Sequence, residues 1–319
     1  MEDRSNQHQN PISKPYAFVP LTETSCDTRV AGHHRYQRDT LSGTLTATIV
    51  ALSPVHVASG LIEHKPGKAQ YPLFKAHFRT NGILAIPGTS LKGCIRSIVE
   101  AITNSGVLLT KASIDKKYKP CQSQQSGQIK LDSAQHIFGA LGYQGLVNFA
   151  DAPLINGNAE IVTSLPLFAP RPAARHIYFD NNKPRGRKFY LHGQLAKGNL
   201  PLEACSINSQ FQLRMDFINL TGAQLGVILV AMGLGKLSFC PKLGGGKPVC
   251  LGTIKIREPV INYDNPYARY TGNHQPASGP DHAELIREAQ GLIIEHQVQK
   301  LANILRCPNT DRNCPDRSY

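Results

Sequence analysis

Apolar and polar residues alternate with a period of two through residues 43–52, where Leu45, Ala47, Ile49 and Ala51 are separated mostly by threonines. This period places the apolar side chains on one side of an extended chain, so it predicts a strand. Short apolar or alternating runs predict further strands at 83–86, 146–152, 211–217 and 252–256. These segments are the candidates for a buried sheet.

A helical period begins after the turn at Pro87 and Gly88. Its apolar positions share one helix face: Leu91, Ile95, Ile98 and Val99. The pattern predicts a helix to about residue 103, with Thr89 or Ser90 capping its start. Further helices are predicted over 221–233 and, as an amphipathic segment, over roughly 281–305.

The order of these elements is strand, helix, strand, then strand, helix, strand, which indicates an α+β fold with an RRM-like or ferredoxin-like core. We expect the core to span residues 41–258, with an insertion near 104–134. Residues 165–200 are read as an extended basic hairpin. Polar residues 1–40 and residues 259–319 are expected to be terminal extensions that contact neighbouring subunits.

Charge adds a candidate partner to this fold. The chain has 319 residues and a formal net charge of +13, a balance that favours a polyanion such as nucleic acid. Residues 64–99 and 217–257 contain no acidic residue, and Asp180 is the only acid in 165–200. Three such windows predict one continuous basic groove in the folded chain, and no apolar run is long enough to span a membrane.

Two segments are suited to binding phosphate. Lys92 and Arg96 lie four residues apart at the predicted helix start, where unpaired N–H groups attract anions. The glycine-rich loop 243–248 allows a ligand to approach the backbone closely. It is not a nucleotide-triphosphate loop, because Lys247 is followed by Pro248 and the loop precedes a strand.

The 8 cysteines are scattered and none forms a C-x-x-C pair, so we expect reduced or buried thiols. Cys307 and Cys314 would supply half of a zinc site, but no second ligand pair is apparent. Residues 1–8 lack the hydrophobic segment of a secretory signal.

The chain resembles the RAMP superfamily, which builds the backbone of type III CRISPR effector complexes. The resemblance covers about residues 41–258 and depends on a Pro-Gly-Thr-Ser-Leu-Lys-Gly-x-x-Arg segment together with the glycine-rich loop. The motifs occur in this order: Gly43-Thr44-Leu45, Pro54-Val55-His56-Val57-Ala58-Ser59-Gly60, Ile86-Pro87-Gly88-Thr89-Ser90-Leu91-Lys92-Gly93-Cys94-Ile95-Arg96-Ser97, Phe138-Gly139, Val147-Asn148-Phe149-Ala150-Asp151-Ala152, Gly186-Arg187-Lys188-Phe189-Tyr190, and Leu243-Gly244-Gly245-Gly246-Lys247-Pro248.

The resemblance implies a cytoplasmic, prokaryotic protein that binds guide RNA (crRNA) and shapes the channel for a complementary target RNA, stacked beside other RAMP and effector subunits. It implies no membrane and no resident cofactor. A projecting thumb is expected near 165–195. The implied RNA-binding residues are Ser90, Lys92, Arg96, Arg175, Arg187, Lys188, Gly244, Gly245, Gly246 and Lys247. Contacts to the RNA backbone would be largely independent of base sequence.

One departure bears on catalysis. Target-cleaving members carry an Asp in the loop after the first strand, whereas residues 58–78 here contain no Asp and only one carboxylate, Glu63. A structural subunit is therefore the first hypothesis. The alternative is a target-cleaving enzyme that uses Glu63 and Mg²⁺. A third hypothesis is a metal-independent guide-RNA-processing endoribonuclease that uses His56 or His64.

Overall fold

The computed structural model describes residues 15–27, 32–64, 71–107, 114–121, 129–167, 175–181, 183–265, 270–272, 277–307 and 311–315. Within them the strands are β1 (Tyr16–Val19), β2 (Leu41–Ala51), β3 (Ala58–His64), β4 (Leu73–His77), β5 (Arg79–Thr80), β6 (Ile83–Ile86), β7 (Gly139–Ala140), β8 (Tyr143–Gln144), β9 (Val147–Phe149), β10 (Ala152–Asn156), β11 (Ala159–Ser164), β12 (Phe179–Asp180), β13 (Lys183–Pro184), β14 (Arg187–Tyr190), β15 (Leu200–Cys205), β16 (Gln210–Leu220) and β17 (Ile254–Tyr263). The helices are α1 (Gly88–Ile102), α2 (Ser133–Phe138), α3 (Arg175–Tyr178), α4 (Gly222–Leu229), α5 (His282–Glu288) and α6 (Glu295–Ile304).

The central sheet has the order β17-β2-β16-β10-β6-β5, and β9 also pairs with β16. All of these pairs are antiparallel. Helix α1 follows β6 and precedes β9 and β10, and α4 lies between β16 and β17. This is the strand-helix-strand arrangement, twice repeated, that the sequence predicts, so the ferredoxin-like α+β fold is confirmed.

The core lies between this sheet and its helices. Leu45 and Ile49 of β2 are completely buried, as the period of two requires. Leu91, Ile95 and Ile98 of α1 are also buried, which confirms the predicted helix face.

A second sheet, with the order β11-β15-β4-β3, flanks the core. The hydrophobic pattern predicts no strand between residues 52 and 83, but β3 and β4 form an antiparallel pair there. Leu61 and Ile62 are mostly exposed there, so the hydrophobic pattern of a half-buried strand is missing. Pairing with β4 and then β15 supplies the backbone hydrogen bonds instead.

The predicted extended hairpin differs from the observed pairing. Residues 168–174 lie outside the described part of the chain, β12 pairs with β13 over two residues, and β14 pairs with the N-terminal strand β1. Residues 16–19 of the expected N-terminal extension are therefore part of the folded body. Strand β1 contains no Leu or Ile, so its hydrophobic pattern is weak.

The C-terminal helix predicted over 281–305 is divided into α5 and α6 by a short 3₁₀ turn at Ala289–Gly291. Backbone hydrogen bonding then joins this region to α1, where the Ile294 N–H donates to the Ile102 carbonyl at 2.8 Å.

The expectation that the cysteines are reduced is wrong for most of them. Disulfides join Cys26 to Cys121, Cys240 to Cys307 and Cys250 to Cys314, and the free thiols are Cys94 and Cys205. The zinc half-site at Cys307 and Cys314 is also wrong, because each sulfur is bonded to a different partner. Sequence separations of 64 to 95 residues conceal these pairs until the chain is folded.

Candidate nucleic-acid interface

The start of α1 is held by an acidic residue from outside the helix. Pro87 occupies the cap position without a side-chain hydrogen bond, and the Gly88 N–H donates to Asp151 Oδ1 at 2.9 Å. The helix thus begins before Thr89 and Ser90, which are not its caps as the sequence analysis expects. Asp151 follows β9, so the sheet itself neutralises part of the helix N-terminus.

Lys92 and Arg96 share one face of α1, as their spacing predicts. Lys92 Nζ donates to the Val147 carbonyl at 3.1 Å, and Arg96 Nη1 donates to the Gly139 carbonyl at 3.0 Å. At about 100° per residue, Ser90 points roughly to the opposite side of the helix. The structure therefore separates Ser90 from the two cations with which the sequence analysis groups it.

Glu100 lies between two of the predicted RNA-binding arginines. Arg96 Nε donates to Glu100 Oε1 at 2.8 Å, and Arg187 Nη2 forms an ion pair with Glu100 Oε2. Burial lowers the pKa of Arg187, and the Glu100 carboxylate opposes that shift. Arg187 Nε is buried and has no hydrogen-bond partner in the described part of the chain. Sequence analysis missed Glu100 because nothing local distinguishes it from a surface residue.

The other face of α1 borders a cavity of about 140 Å³. We call this cavity the basic pocket, and its lining includes Arg187, Lys188, Lys242 and Lys247 together with Cys94, Ser97, Ile98, Phe189, Tyr190 and Leu305. Among the described residues, no carboxylate belongs to this lining. Residues from all three acid-poor windows of the sequence meet here, since α1, β14 and the glycine-rich loop each supply one wall.

Lys242 is the most deeply placed cation of the basic pocket. The residue is 7% exposed, and its Nζ donates to the Lys247 carbonyl at 3.3 Å. Burial, together with the nearby charges of Lys247 and Arg312, lowers the pKa of Lys242 to about 7. An anion in the pocket would favour its charged form. Sequence analysis did not name Lys242, although it lies in an acid-free window.

The glycine-rich loop forms the wall opposite α1. Gly244 and Gly246 adopt positive φ angles of 82° and 67°, which glycine accepts without strain. The Gly245 N–H donates to the His56 carbonyl at 2.8 Å, so the loop packs on the segment after β2. Disulfides at Cys240 and Cys250 bracket the loop and join it to the C-terminal residues 307 and 314.

Lys188 is surrounded by aromatic rings. Its ammonium lies 4.8 Å from the ring centre of Tyr190, 5.1 Å from that of Tyr16 and 5.3 Å from that of Tyr178. Cation–π attraction holds the amine in place without neutralising its charge. Arg175 is the first residue of α3, and its side chain lies outside what the structure describes.

The candidate catalytic residues lie apart from the basic pocket lining. His56 is 4% exposed, its Nδ1 is 2.6 Å from the Glu203 carbonyl oxygen, and burial lowers its pKa. Glu63 Oε1 lies 3.8 Å from Arg79 Nη1, which also bonds to Glu203. His64 is exposed at the end of β3. Among the described residues no group of three or more His, Cys, Asp or Glu side chains is arranged to hold a metal.

In the part of the chain that the structure describes, every helix is too short or too polar to cross a lipid bilayer.

Comparison with known proteins places this architecture in a family. A family model described as the RAMP superfamily matches residues 48–255. Among solved structures, a chain in the "Cryo-EM structure of the Type III-B Cmr-beta bound to cognate target RNA" is similar with a TM-score of 0.37 and 14% identity, over 69% of this chain and 61% of that one. No curated protein matches the chain. Because the family model covers more than half of its length, this chain belongs to the RAMP superfamily.

Proposed function

We propose that this protein is an RNA-binding subunit of a type III CRISPR effector ribonucleoprotein, and that it binds guide RNA and shapes the channel for a complementary target. The observation that carries the proposal is the basic pocket. Four cations border one cavity without a carboxylate in its lining. Such a site attracts a phosphodiester backbone.

The chemistry of the pocket suits backbone recognition. Arg187 presents a buried Nε with no partner in the described part of the chain, and a phosphate oxygen would supply the missing acceptor. Lys242 and Lys247 provide point charges, while Lys188 is oriented by its three tyrosines. None of these groups requires a particular base, so binding would be independent of sequence.

Other parts of the proposal follow from family membership. By helical position Ser90 lies near the pocket side of α1, and Gly244, Gly245 and Gly246 directly precede Lys247 of the pocket lining. Neighbouring effector subunits and target RNA are the partners that this role implies; the matched structure, by its title, is a Cmr-beta complex bound to cognate target RNA. Lys92 and Arg96 already donate to backbone carbonyls, so they contribute to RNA binding at most through their remaining N–H groups.

The test is a binding titration of fluorescent single-stranded RNA over a series of salt concentrations. We expect Lys188→Ala/Lys247→Ala to reduce the slope of log affinity against log salt by about 1.4, since each lost phosphate contact removes about 0.7 for a single strand. Lys236→Ala/Lys300→Ala is the matched control, because both lysines are exposed and lie outside the pocket lining. Equal slopes for the two variants would refute the assignment.

The same experiment, repeated with Mg²⁺, tests the alternative that the protein cleaves target RNA. RNA fragments that appear with Mg²⁺ and disappear in Glu63→Gln would replace the structural role with an enzymatic one. Processing of a repeat RNA without metal, abolished by His64→Ala, would instead support the third hypothesis. Intact RNA under all conditions supports the binding role.

A further inference from the structure

A second group of cations lies in the predicted insertion, outside the basic pocket. Its cavity has a volume of about 220 Å³. We call it the lysine cleft, and it is lined by Thr24, Cys26, Lys116, Lys117, Lys119, Pro120, Cys121 and Lys130. The sequence motif Lys-Lys-Tyr-Lys-Pro at 116–120 supplies most of this charge.

The walls of the lysine cleft are held in place by the N-terminal segment. The Cys26–Cys121 disulfide forms part of the lining, and the Thr24 N–H donates to the Lys117 carbonyl at 2.8 Å. Asp115 caps the 3₁₀ turn at Lys116–Tyr118 by accepting from the Lys117 N–H. The lysine backbones are therefore positioned before any ligand arrives, which lowers the entropy lost on binding.

Little of this positive charge is neutralised by the protein. Lys117 pairs with Glu23 at 2.7 Å and lies over the Tyr118 ring. Lys116, Lys119 and Lys130 are exposed and make no ion pair within the described residues. The Thr24 hydroxyl oxygen is buried and lacks a hydrogen-bond partner there as well. The cleft thus offers three unpaired cations and one unsatisfied hydroxyl.

The lysine cleft is joined to the same helix that borders the basic pocket. The Ser25 N–H donates to the Asn104 carbonyl at 2.9 Å, and Thr22 Oγ1 donates to the Thr103 carbonyl at 3.1 Å. The basic pocket uses Cys94, Ser97 and Ile98 earlier in α1. Helix α1 ends at Ile102, so the N-terminal segment of the cleft contacts the residues directly after the helix whose middle turns border the basic pocket.

We propose that the lysine cleft is a second phosphodiester site, which extends the RNA footprint past the basic pocket toward the C-terminal end of α1. The inference rests on the proposed function. Exposed lysines are hydrated point charges that suit contact with a backbone rather than with particular bases. The lysine lining suits a polyanion, and the proposed RNA site on the same helix favours RNA over an acidic protein as that polyanion; the acidic protein becomes an outcome of the test.

The experiment uses the full chain and labelled poly(U) RNA over a salt series. Lys116→Ala/Lys119→Ala/Lys130→Ala removes the three unpaired cations and leaves Lys117 with Glu23. Lys236→Ala/Arg287→Ala/Lys300→Ala removes the same charge from exposed positions elsewhere. We expect the cleft variant to reduce the salt slope by about 2 relative to this control, with at least a tenfold loss of affinity at low salt.

A second measurement locates the contact. Acetylation of surface lysines, followed by mass spectrometry, should show protection of Lys116, Lys119 and Lys130 by poly(U) but not by polyglutamate. Protection by polyglutamate alone would overturn the proposal in favour of an acidic protein partner.

The outcomes separate the two proposals. If the basic-pocket variant weakens binding while the cleft variant matches its control, the second site is refuted and the proposed function stands. If the unaltered protein does not bind RNA at low salt, both proposals fail together.

Discussion

The cations beside the two faces of α1 have opposite surroundings. On one face Lys92 and Arg96 donate to backbone carbonyls, and Arg96 also pairs with Glu100. The other face borders the basic pocket, where Lys188 and Lys247 have no carboxylate partner among the residues that the structure describes. The difference teaches that a cation with a protein acceptor stabilises the fold, whereas a cation without one is available to a ligand.

The largest effect is expected from the covalent support of the basic pocket. Cys250→Ser/Cys314→Ser opens a loop with a sequence separation of 64 residues. The chain-entropy account gives a loss of about 4 kcal/mol in the free energy of unfolding, because the unfolded chain gains freedom. Urea denaturation of the variant and the unaltered protein measures this difference.

Reductant provides the control for that experiment. With all disulfides reduced, the variant and the unaltered protein should have the same free energy of unfolding, and a persistent difference would show that the serines act by another route. Thiol counting sharpens the result, since the unfolded protein should expose two thiols before reduction and eight after it.

The next largest effect tests the neutralised face. Glu100→Gln leaves the buried Arg187 and the half-buried Arg96 without their carboxylate. We expect a loss of about 3 kcal/mol in the free energy of unfolding, because an uncompensated buried charge remains. Glu23→Gln, which breaks the exposed pair with Lys117, should cost less than about 1 kcal/mol. Similar losses for the two variants would contradict the comparison.

Much of the fold was accessible from the sequence, whereas the site was accessible only in part. The period of two in β2 and the helical period of α1 report burial directly, so the ferredoxin-like order follows from local pattern. Strands β1 and β3 lack that pattern, because β1 has only 4 residues and Leu61 and Ile62 of β3 are mostly exposed. They were missed for this reason.

The same distinction explains the site residues. Lys247 and Arg187 were named because they stand in recognisable motifs, and both do line the basic pocket. Lys242, Cys94 and Glu100 acquire their roles through contacts with residues far along the chain, for example Glu100 with Arg187. A linear pattern cannot indicate which cation a distant carboxylate will reach, nor which cysteines will pair.

A smaller effect is expected from pH. The pKa of Lys242 is about 7 in the protein, below its ordinary value of 10.5, because the side chain is buried near other cations. A bound phosphate favours the charged amine, so RNA binding above pH 7 takes up a proton. Affinity should then fall by up to tenfold per pH unit as pH rises above 7. Lys242→Met should flatten this pH dependence. An unchanged pH profile in that variant would mean that a group other than Lys242 titrates.

Stability responds to the same group with the opposite sign. The unfolded chain holds its proton up to pH 10.5, whereas the folded chain releases it near pH 7. Between these values the unfolded state binds more protons, so the free energy of unfolding should rise with pH. Lys242→Met should remove that rise. The two opposing trends in one protein distinguish Lys242 from a general loss of positive charge.

The smallest effect concerns Lys188 and its three tyrosines. Lys188→Gln removes the cation but keeps a long side chain, and we expect a loss of about 1 kcal/mol in the free energy of unfolding from the cation–π contacts. RNA affinity should fall as well, since the amine borders the basic pocket. Tyr190→Leu tests the same contact from the other side, and a double-mutant cycle with Lys188→Gln should give a coupling energy of similar size. A coupling near zero, with RNA affinity still reduced, would mean that Lys188 serves the ligand alone and that the tyrosines do not orient it.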